Sequence, residues 1–214
     1  MVNATATLHY IHDPLCGWCY AAAPLVAAAR PLLPVQAHGG GLMTGPRRKP
    51  VTPELRNFVM PHDRRIAQAS GQPFGEGYFE GLLRDPQAVF DSAPPISALL
   101  AADAQGGRGL DLLARMQRAH YVEGRRIAEP AVLAELAADI GLDRSAFESA
   151  YGDAAGAATE AHIAASRALL ARVGGQGFPT MVLEQGGAMT LLDPMSFLGR
   201  PERWREQLSA AIEG

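Results

Sequence analysis

Two cysteines, Cys16 and Cys19, are the only thiols in this chain of 214 residues, and two residues separate them. A bond between them would close almost no loop, so it would stabilise the fold very little. The same spacing suits disulfide exchange, in which one thiolate attacks a disulfide and a second thiol resolves the mixed disulfide. The pair therefore predicts redox chemistry.

Two other interpretations of the pair stay open at this point. A zinc site would need four ligands, and the nearest histidines, His9 and His12, lie three positions apart on a predicted strand, where they point to opposite faces. The two cysteines could also be small buried apolar residues. Neither interpretation accounts for the spacing as directly as thiol exchange does.

The elements around the pair are those that such chemistry needs. A run with β-branched and aromatic residues over 8–12 ends at Asp13-Pro14 and predicts a strand followed by a turn. An Ala-rich helix is predicted over 16–30, and a second strand over 34–42. Cys16 would then lie at a helix N-terminus, where unpaired N–H groups and the helix dipole stabilise a thiolate.

The rest of the chain divides into two patterns. Residues 44–155 have helical periodicity, with four or five helices and no predicted strand. After them, a helix over 157–173, a hairpin of strands 181–184 and 189–192, and a last helix over 201–212 are predicted. We therefore expect an α/β fold in which residues 1–43 and 156–214 form one domain, with an all-helical domain inserted over 44–155.

Composition excludes several classes of protein. The chain has 19 basic and 22 acidic residues, so no basic excess predicts binding to nucleic acid or to an anionic membrane. Apolar residues make up 48% of the chain, enough for a core, yet no apolar stretch is long enough to span a bilayer. The first residues lack the features of a signal peptide. We therefore expect a cytoplasmic protein, in a compartment that keeps thiols reduced.

Two motifs carry a family resemblance. The run Asp-Pro-Leu-Cys-Gly-Trp-Cys-Tyr at 13–20, with Gly-Phe-Pro-Thr at 177–180, resembles the DsbA-like branch of the thioredoxin superfamily. Within that branch the chain is similar to the protein-disulfide isomerases related to FrnE. The resemblance covers essentially the whole chain and implies a thioredoxin fold, βαβ–ββα with a mixed sheet, that carries an inserted helical domain.

The resemblance also implies roles for particular residues. Cys16 would be the attacking thiol, Cys19 the resolving thiol, and the Phe178–Pro179 bond would be cis, with its loop lying against the cysteine pair and binding the substrate chain. The residues implied at the active site and in substrate binding are Gly17, Trp18, Phe178, Pro179 and Thr180.

The sequence departs from the family at one position that bears on proton transfer. Thioredoxins and DsbA have a buried carboxylate six residues before the first cysteine, where this chain has Tyr10. Asp13 and Glu184 are the nearest candidate replacements, and His12 could also tune the thiolate. The dipeptide between the cysteines lacks the histidine of DsbA, so we expect a more reducing couple.

The function predicted from these features is a thiol–disulfide oxidoreductase, an isomerase or reductase of protein or peptide disulfides. We expect no bound cofactor or metal, and glutathione or another thiol/disulfide couple as redox partner. Apolar surface around Leu15, Trp18 and Tyr20 is expected to bind an unfolded chain. The oligomeric state is not predicted.

Two alternatives remain at the level of sequence. Kappa-class glutathione transferases and 2-hydroxychromene-2-carboxylate isomerases resemble the chain in the pattern Asp-x-x-[Cys/Ser]-x-Trp-x-Tyr, which begins at Asp13 and ends at Tyr20. Their chemistry does not need a second cysteine, so Cys19 favours the oxidoreductase. The other alternative is a non-enzymatic protein that binds a metal or a partner.

Overall fold

The protein is described here by a computed structural model that covers residues 6–213. Its strands are β1 (Thr7–His12), β2 (Val35–Gly39), β3 (Lys49–Pro50), β4 (Val89–Phe90), β5 (Thr180–Gln185) and β6 (Ala188–Leu192). Its α-helices are α1 (Gly17–Ala29), α2 (Pro53–Ser70), α3 (Ala93–Asp103), α4 (Gly109–Tyr121), α5 (Pro130–Asp139), α6 (Arg144–Ala154), α7 (Ala157–Arg172) and α8 (Pro201–Glu213). Shorter helical turns cover Gly45–Arg47, Gly77–Gly81, Leu82–Arg84 and Met195–Phe197.

Four strands form one mixed sheet in the order β2-β1-β5-β6. β1 runs parallel to β2 and antiparallel to β5, and β5 pairs antiparallel with β6. The predicted thioredoxin-like α/β fold with a mixed sheet and a helical insertion is therefore confirmed. β1 is a central strand of the sheet and ends at His12. The turn after it therefore places the cysteine motif at the edge of the core.

The β5–β6 hairpin depends on glycine at its turn. The two residues between the strands, Gly186 and Gly187, have φ values of 60° and 83°. Both central residues of such a two-residue turn need positive φ, which glycine adopts without steric cost. The hairpin is confirmed, and each strand is slightly longer than the sequence predicted.

Helix α1 is the element that carries the cysteines. Its buried residues include Leu25 and Ala29, and it packs against α8 as well as against α2 and α4. Trp204 and Leu208 of α8 are both buried, which agrees with the apolar spacing of four seen in the sequence. The helix runs through Pro24 and ends at Ala29, two residues before Pro31.

Helices α2 to α6 lie between β2 and α7 in the chain, as the periodicity predicted. Asp143 caps α6 by accepting a hydrogen bond from the Ala146 N–H at 2.8 Å, and Pro130 is the first residue of α5. The expectation that this segment is entirely helical was wrong in one detail, because β3 and β4 pair antiparallel within it. Each strand has only two residues, too few to produce a period in the sequence.

Candidate active site

Cys16 is the residue that begins helix α1. Its backbone is extended, with φ −91° and ψ 114°, and its N–H donates to the Asp13 carbonyl at 3.2 Å. The thiol is 7% exposed and donates to the Phe178 carbonyl oxygen at 3.5 Å. The first turn of α1 contains no acidic residue and its N–H groups have no side-chain cap, so no carboxylate of the helix itself competes for the positive end of the helix dipole.

Cys19 lies one turn further along α1, and both cysteines are free thiols in this structure. It is fully buried, and burial raises the pKa of its thiol well above the usual range, with a further upward contribution from a hydrogen bond with Cys16. The separation of the two cysteines by one helical turn is the spacing that a resolving reaction requires.

The loop before β5 lies against Cys16. The Phe178–Pro179 peptide bond is cis. The Thr180 hydroxyl donates to the Gly177 carbonyl at 2.7 Å and closes this loop, while the Thr180 backbone pairs with Ile11 of β1. The pairing of β5 with β1 therefore places the loop next to the turn that carries the cysteines.

A cavity of about 290 Å³ opens beside the Cys16 thiol, and we call it the Cys16 cavity. Its lining includes Arg47 and Arg167. Arg167 donates to the carbonyls of Gly40 and Gly41 at 2.7 and 2.5 Å, and Arg47 donates to Gly41 at 3.1 Å. Within residues 6–213 neither guanidinium is paired with a carboxylate. The cavity is therefore positively charged beside the thiol.

Arg167 is a residue that sequence reasoning missed. It lies in the middle of α7, more than a hundred positions from the glycines it contacts, and no local motif marks it. Only the packing of α7 against β2 brings it to the cavity.

The burial and hydrogen bonds of Asp13 differ from those expected of a carboxylate that accepts a proton during the reaction. It is fully buried, and burial raises the pKa of its carboxyl to about 6 although its hydrogen bonds oppose this. Its Oδ1 accepts from the Leu15 N–H and the Ser92 hydroxyl, both at 2.9 Å, and its Oδ2 accepts from the Leu42 N–H at 2.6 Å. The carboxyl therefore holds the cysteine turn, the loop after β2 and the start of α3 together.

The other three residues considered as possible influences on the Cys16 thiolate lie at different distances from the cysteines. Tyr10 is fully buried, which raises its pKa well above the usual range, and its hydroxyl donates to the Cys19 carbonyl at 3.2 Å. His12 is also fully buried, and its ring stacks on that of Tyr10 with 4.8 Å between the ring centroids. Burial lowers the pKa of His12 to about 3, so its ring stays neutral. Glu184 pairs with His9 at 2.7 Å, and strand alternation places His9 on the face of β1 away from Tyr10.

A second buried carboxylate, which the sequence did not reveal, lies beside the cysteine motif. Asp63 of α2 accepts a hydrogen bond from the Tyr78 hydroxyl at 2.8 Å, and burial raises its pKa to about 6. A Cβ added at Gly17 would lie 3.1 Å from Asp63 Oδ1 and 2.8 Å from Ile66 Cδ1. The residue directly after Cys16 must therefore be small, because α2 packs on Gly17.

The apolar surface expected around the motif is mostly covered. Trp18 is half-buried, but Leu15 is 6% exposed and Tyr20 is 5% exposed. Tyr20 stacks on Tyr121 of α4 at 4.8 Å and donates to the Pro73 carbonyl at 2.9 Å. That expectation was wrong for Leu15 and Tyr20, which are both buried, and residues of the insertion cover Tyr20.

Within residues 6–213, no three histidine, cysteine, aspartate or glutamate side chains are grouped so that they could hold a metal ion. No helix in this part of the chain is both long and apolar enough to cross a membrane.

Comparison with known proteins gives a family and several similar structures. A family model for the DSBA-like thioredoxin domain matches residues 7–200. The cytosolic disulfide reductase DsbM from Pseudomonas aeruginosa is 55% identical with a TM-score of 0.91, over 97% of this chain and 98% of that chain. The same reductase solved with GSH is 53% identical with a TM-score of 0.90, over 97% and 100%. DsbA from Pseudomonas aeruginosa shares the fold, at 17% identity and a TM-score of 0.51 over 99% and 88%. A search of the curated proteins gave no match.

Proposed function

The chain belongs to the family of DSBA-like thioredoxin domains, and on this basis we propose that it reduces disulfide bonds with Cys16 as the attacking thiol and Cys19 as the resolving thiol. The family and the similar reductase both support oxidoreductase chemistry of the DsbA type. The observation that carries the finer assignment is the position of Cys16. Its sulfur lies at the N-terminus of α1, at the edge of the Cys16 cavity and 3.5 Å from the Phe178 carbonyl.

The first step is attack by the Cys16 thiolate on one sulfur of a substrate disulfide. A bond forms between the two sulfurs, the substrate S–S bond breaks, and the leaving thiolate takes up a proton. The unpaired N–H groups of the first turn of α1 and the positive end of the helix dipole stabilise the attacking thiolate. Before it loses its proton, the Cys16 thiol donates to the Phe178 carbonyl, which holds the sulfur at the opening of the Cys16 cavity, where a substrate sulfur can reach it.

The second step is attack by Cys19 on the Cys16 sulfur of the mixed disulfide. Cys19 loses its proton, the second substrate thiolate leaves and is protonated, and a Cys16–Cys19 disulfide forms. The substrate has then gained two electrons and the pair has lost two. Because burial raises the pKa of the Cys19 thiol, this group stays protonated until a neighbouring mixed disulfide makes its reaction favourable.

We propose glutathione as the reductant that restores the pair. Two glutathione thiols would reduce the Cys16–Cys19 disulfide and leave as glutathione disulfide. Arg47 and Arg167 line the cavity beside Cys16 and can pair with the glutathione carboxylates. The similar reductase solved with GSH supports this choice, and its description as cytosolic supports the same compartment here.

Protein and peptide disulfides are the proposed substrates, and reduction is the proposed main reaction, with isomerisation as the outcome when the mixed disulfide rearranges before Cys19 attacks. The residues proposed to contact the substrate chain are Gly17, Trp18, Phe178, Pro179 and Thr180. We also retain the division of the chain into a thioredoxin-fold domain (1–43 and 156–214) and a helical insertion (44–155); residues 1–5 and 214 lie outside those that the structure describes.

A glutathione-dependent transferase or isomerase is the second candidate, and one observation favours it. The two arginines beside a single accessible thiol would also serve an enzyme that only activates bound glutathione. That chemistry does not need a second thiol, although Cys19 lies one helical turn from Cys16.

An equilibrium redox titration in glutathione buffers separates the two candidates. Alkylation measures the fraction of Cys16 and Cys19 that is reduced at each potential, and Cys19→Ser is the matched variant. We expect a single two-electron transition between about −120 and −270 mV, the span from DsbA to thioredoxin, and we expect Cys19→Ser to lose turnover of protein disulfides. If the thiols stay reduced throughout, or if Cys19→Ser keeps full activity in a glutathione-conjugation assay, the reductase assignment fails and the transferase replaces it.

A further inference from the structure

Three consecutive glycines at 39–41 link the end of β2 to the wall of the Cys16 cavity, and we call them the glycine segment. A Cβ added at Gly40 would overlap the ring of Phe178. Gly41 has a φ of 65°, which glycine adopts without steric cost, and a Cβ there would lie 2.9 Å from Ile163 Cγ2 of α7. The segment therefore has no side chains of its own to anchor it, and groups from other elements must hold its backbone.

The carbonyls of the glycine segment set the positions of the two cavity arginines. Arg167 donates from Nε to the Gly40 carbonyl at 2.7 Å and from Nη2 to the Gly41 carbonyl at 2.5 Å. Arg47 donates from Nη2 to the same Gly41 carbonyl at 3.1 Å. Both guanidiniums therefore meet at one oxygen, and the position of that oxygen sets the spacing between the two charges. Because a guanidinium has five N–H donors, each arginine keeps donors free for an anion in the cavity.

A histidine of α7 holds the other side of the same backbone. His162 lies earlier than Arg167 on that helix, and its Nε2 accepts a hydrogen bond from the Gly39 N–H at 2.9 Å. A neutral imidazole has one donor and one acceptor nitrogen, so Nε2 must be the unprotonated one. Burial lowers the pKa of His162, although Asp103 opposes this, so the ring keeps its acceptor at neutral pH.

The hydrogen bond to His162 does something that the arginine bonds cannot do. The bonds from Arg167 come from the group that has to be positioned, so by themselves they let the backbone and the guanidinium move together. Gly39 is buried, and a buried N–H without an acceptor costs free energy. Without His162 the backbone at Gly39 would turn toward another acceptor, and the carbonyls of the next two residues would turn with it.

We propose that His162 is a positioning residue for glutathione. By holding the glycine segment, it places the two cavity arginines at the spacing that pairs with the glutathione carboxylates beside Cys16. This inference rests on the proposed role of glutathione as reductant, and it adds a residue that does not itself line the Cys16 cavity. Loss of His162 therefore weakens glutathione binding and leaves disulfide exchange with an uncharged dithiol intact.

Calorimetry with S-methylglutathione measures binding alone, because this compound keeps both carboxylates and has no thiol that could react. We expect His162→Leu to raise its Kd about tenfold, a loss of about 1.4 kcal/mol. His162→Gln should stay within about twofold of wild type, because its amide oxygen can accept from the Gly39 N–H in place of Nε2. His162→Asn is shorter and puts its oxygen where Nδ1 lies, so it should behave like His162→Leu and replaces that variant if leucine prevents folding.

His38→Leu is the matched control for these variants. His38 is another partly buried histidine, on β2 directly before the glycine segment, and its Nε2 lies 3.0 Å from His9 Nδ1. It does not line the Cys16 cavity. Its replacement should leave the Kd for S-methylglutathione unchanged, although it removes the same kind of side chain next to the same backbone.

Turnover of bis(2-hydroxyethyl) disulfide with two reductants separates positioning from general damage to the fold. With glutathione, His162→Leu should raise the KM for the reductant about tenfold; with dithiothreitol, which has no carboxylate, the KM should not change. Equal effects with both reductants, or a loss shared by His162→Gln or by His38→Leu, overturn the proposal. Wild-type protein that does not bind S-methylglutathione overturns it together with the proposed role of glutathione. Wild-type binding that His162→Leu leaves unchanged overturns the role of His162 alone.

Discussion

Gly17, between the two cysteines, is the position where one added methyl group should disturb the site most directly. An alanine Cβ there would lie 2.8 Å from Ile66 Cδ1 and 3.1 Å from Asp63 Oδ1. Ordinary contacts begin at 3.4 Å, so the isoleucine methyl must retreat by about 0.6 Å and the carboxyl oxygen by about 0.3 Å. Ile66 is 3% exposed and Asp63 is held by Tyr78, so α1 and α2 must separate slightly.

The expected cost follows from that overlap. Overpacking a core contact costs about 1–3 kcal/mol, and the better helix propensity of alanine returns up to about 1 kcal/mol. A net loss of about 1–2 kcal/mol lowers the Tm of a chain of this size by about 2–8 °C. The shift also moves the backbone next to Cys16, so the rate of disulfide reduction should fall about tenfold or more, since misplacement by about 1 Å can cost 100-fold.

Thermal unfolding and turnover of bis(2-hydroxyethyl) disulfide measure the two effects. Gly152→Ala is the matched control, because Gly152 lies within α6 and an added Cβ meets nothing within 4 Å. It should raise the Tm by replacing a helical glycine and leave turnover unchanged. A Gly17→Ala protein that is as stable and as active as Gly152→Ala would show that α2 does not constrain the cysteine motif.

Three other changes should have measurable effects. Gly40→Ala should slow disulfide reduction strongly, because the added Cβ would overlap the ring of Phe178 at the Cys16 cavity; Gly152→Ala, which lies in α6 and meets nothing within 4 Å, should not. Asp13→Asn should lower stability by about 1–3 kcal/mol, because an amide N–H₂ would face one of the donors that the carboxyl now accepts and leave a buried N–H unpaired; denaturant unfolding that matches wild type would contradict this. Stability should fall below pH 6.5, because four histidines whose folded pKa values are lowered by burial are protonated only on unfolding, while three aspartates whose pKa values are raised by burial oppose this below about pH 6. Since the histidines outnumber these aspartates, we expect stability to decrease from pH 6 to pH 4, and denaturant titrations that show it rising over this range would refute the reasoning. The groups are His12, His38, His120, His162, Asp13, Asp63 and Asp103.

The features that could be predicted from the sequence are those determined by residues close together in the chain. The cysteine pair, the strand before it and the helix after it are signalled within about twenty residues, and the structure has them in that order. The cavity and its charges depend instead on contacts between distant segments. Arg167 reaches Gly40 from α7, and Asp63 reaches Gly17 from α2, and neither contact leaves a period or a motif in the chain. The same limit explains why Tyr20 was expected to be exposed, since α4 covers it.

The two buried carboxyls near the thiols differ in what their oxygens can still do. Asp13, the candidate taken from the sequence, already accepts three hydrogen bonds, so taking up a proton would weaken at least one of the contacts that hold the cysteine turn to the loop after β2. Asp63 accepts one, from Tyr78 through Oδ2, and its Oδ1 faces Gly17 at the N-terminus of α1. The carboxyl that is missing at Tyr10 is therefore not restored on the strand that leads to the cysteines. The insertion brings a carboxyl to Gly17, next to Cys16, and a comparison of Asp63→Asn with Asp13→Asn separates its effect on redox potential from that of a group that only holds the turn.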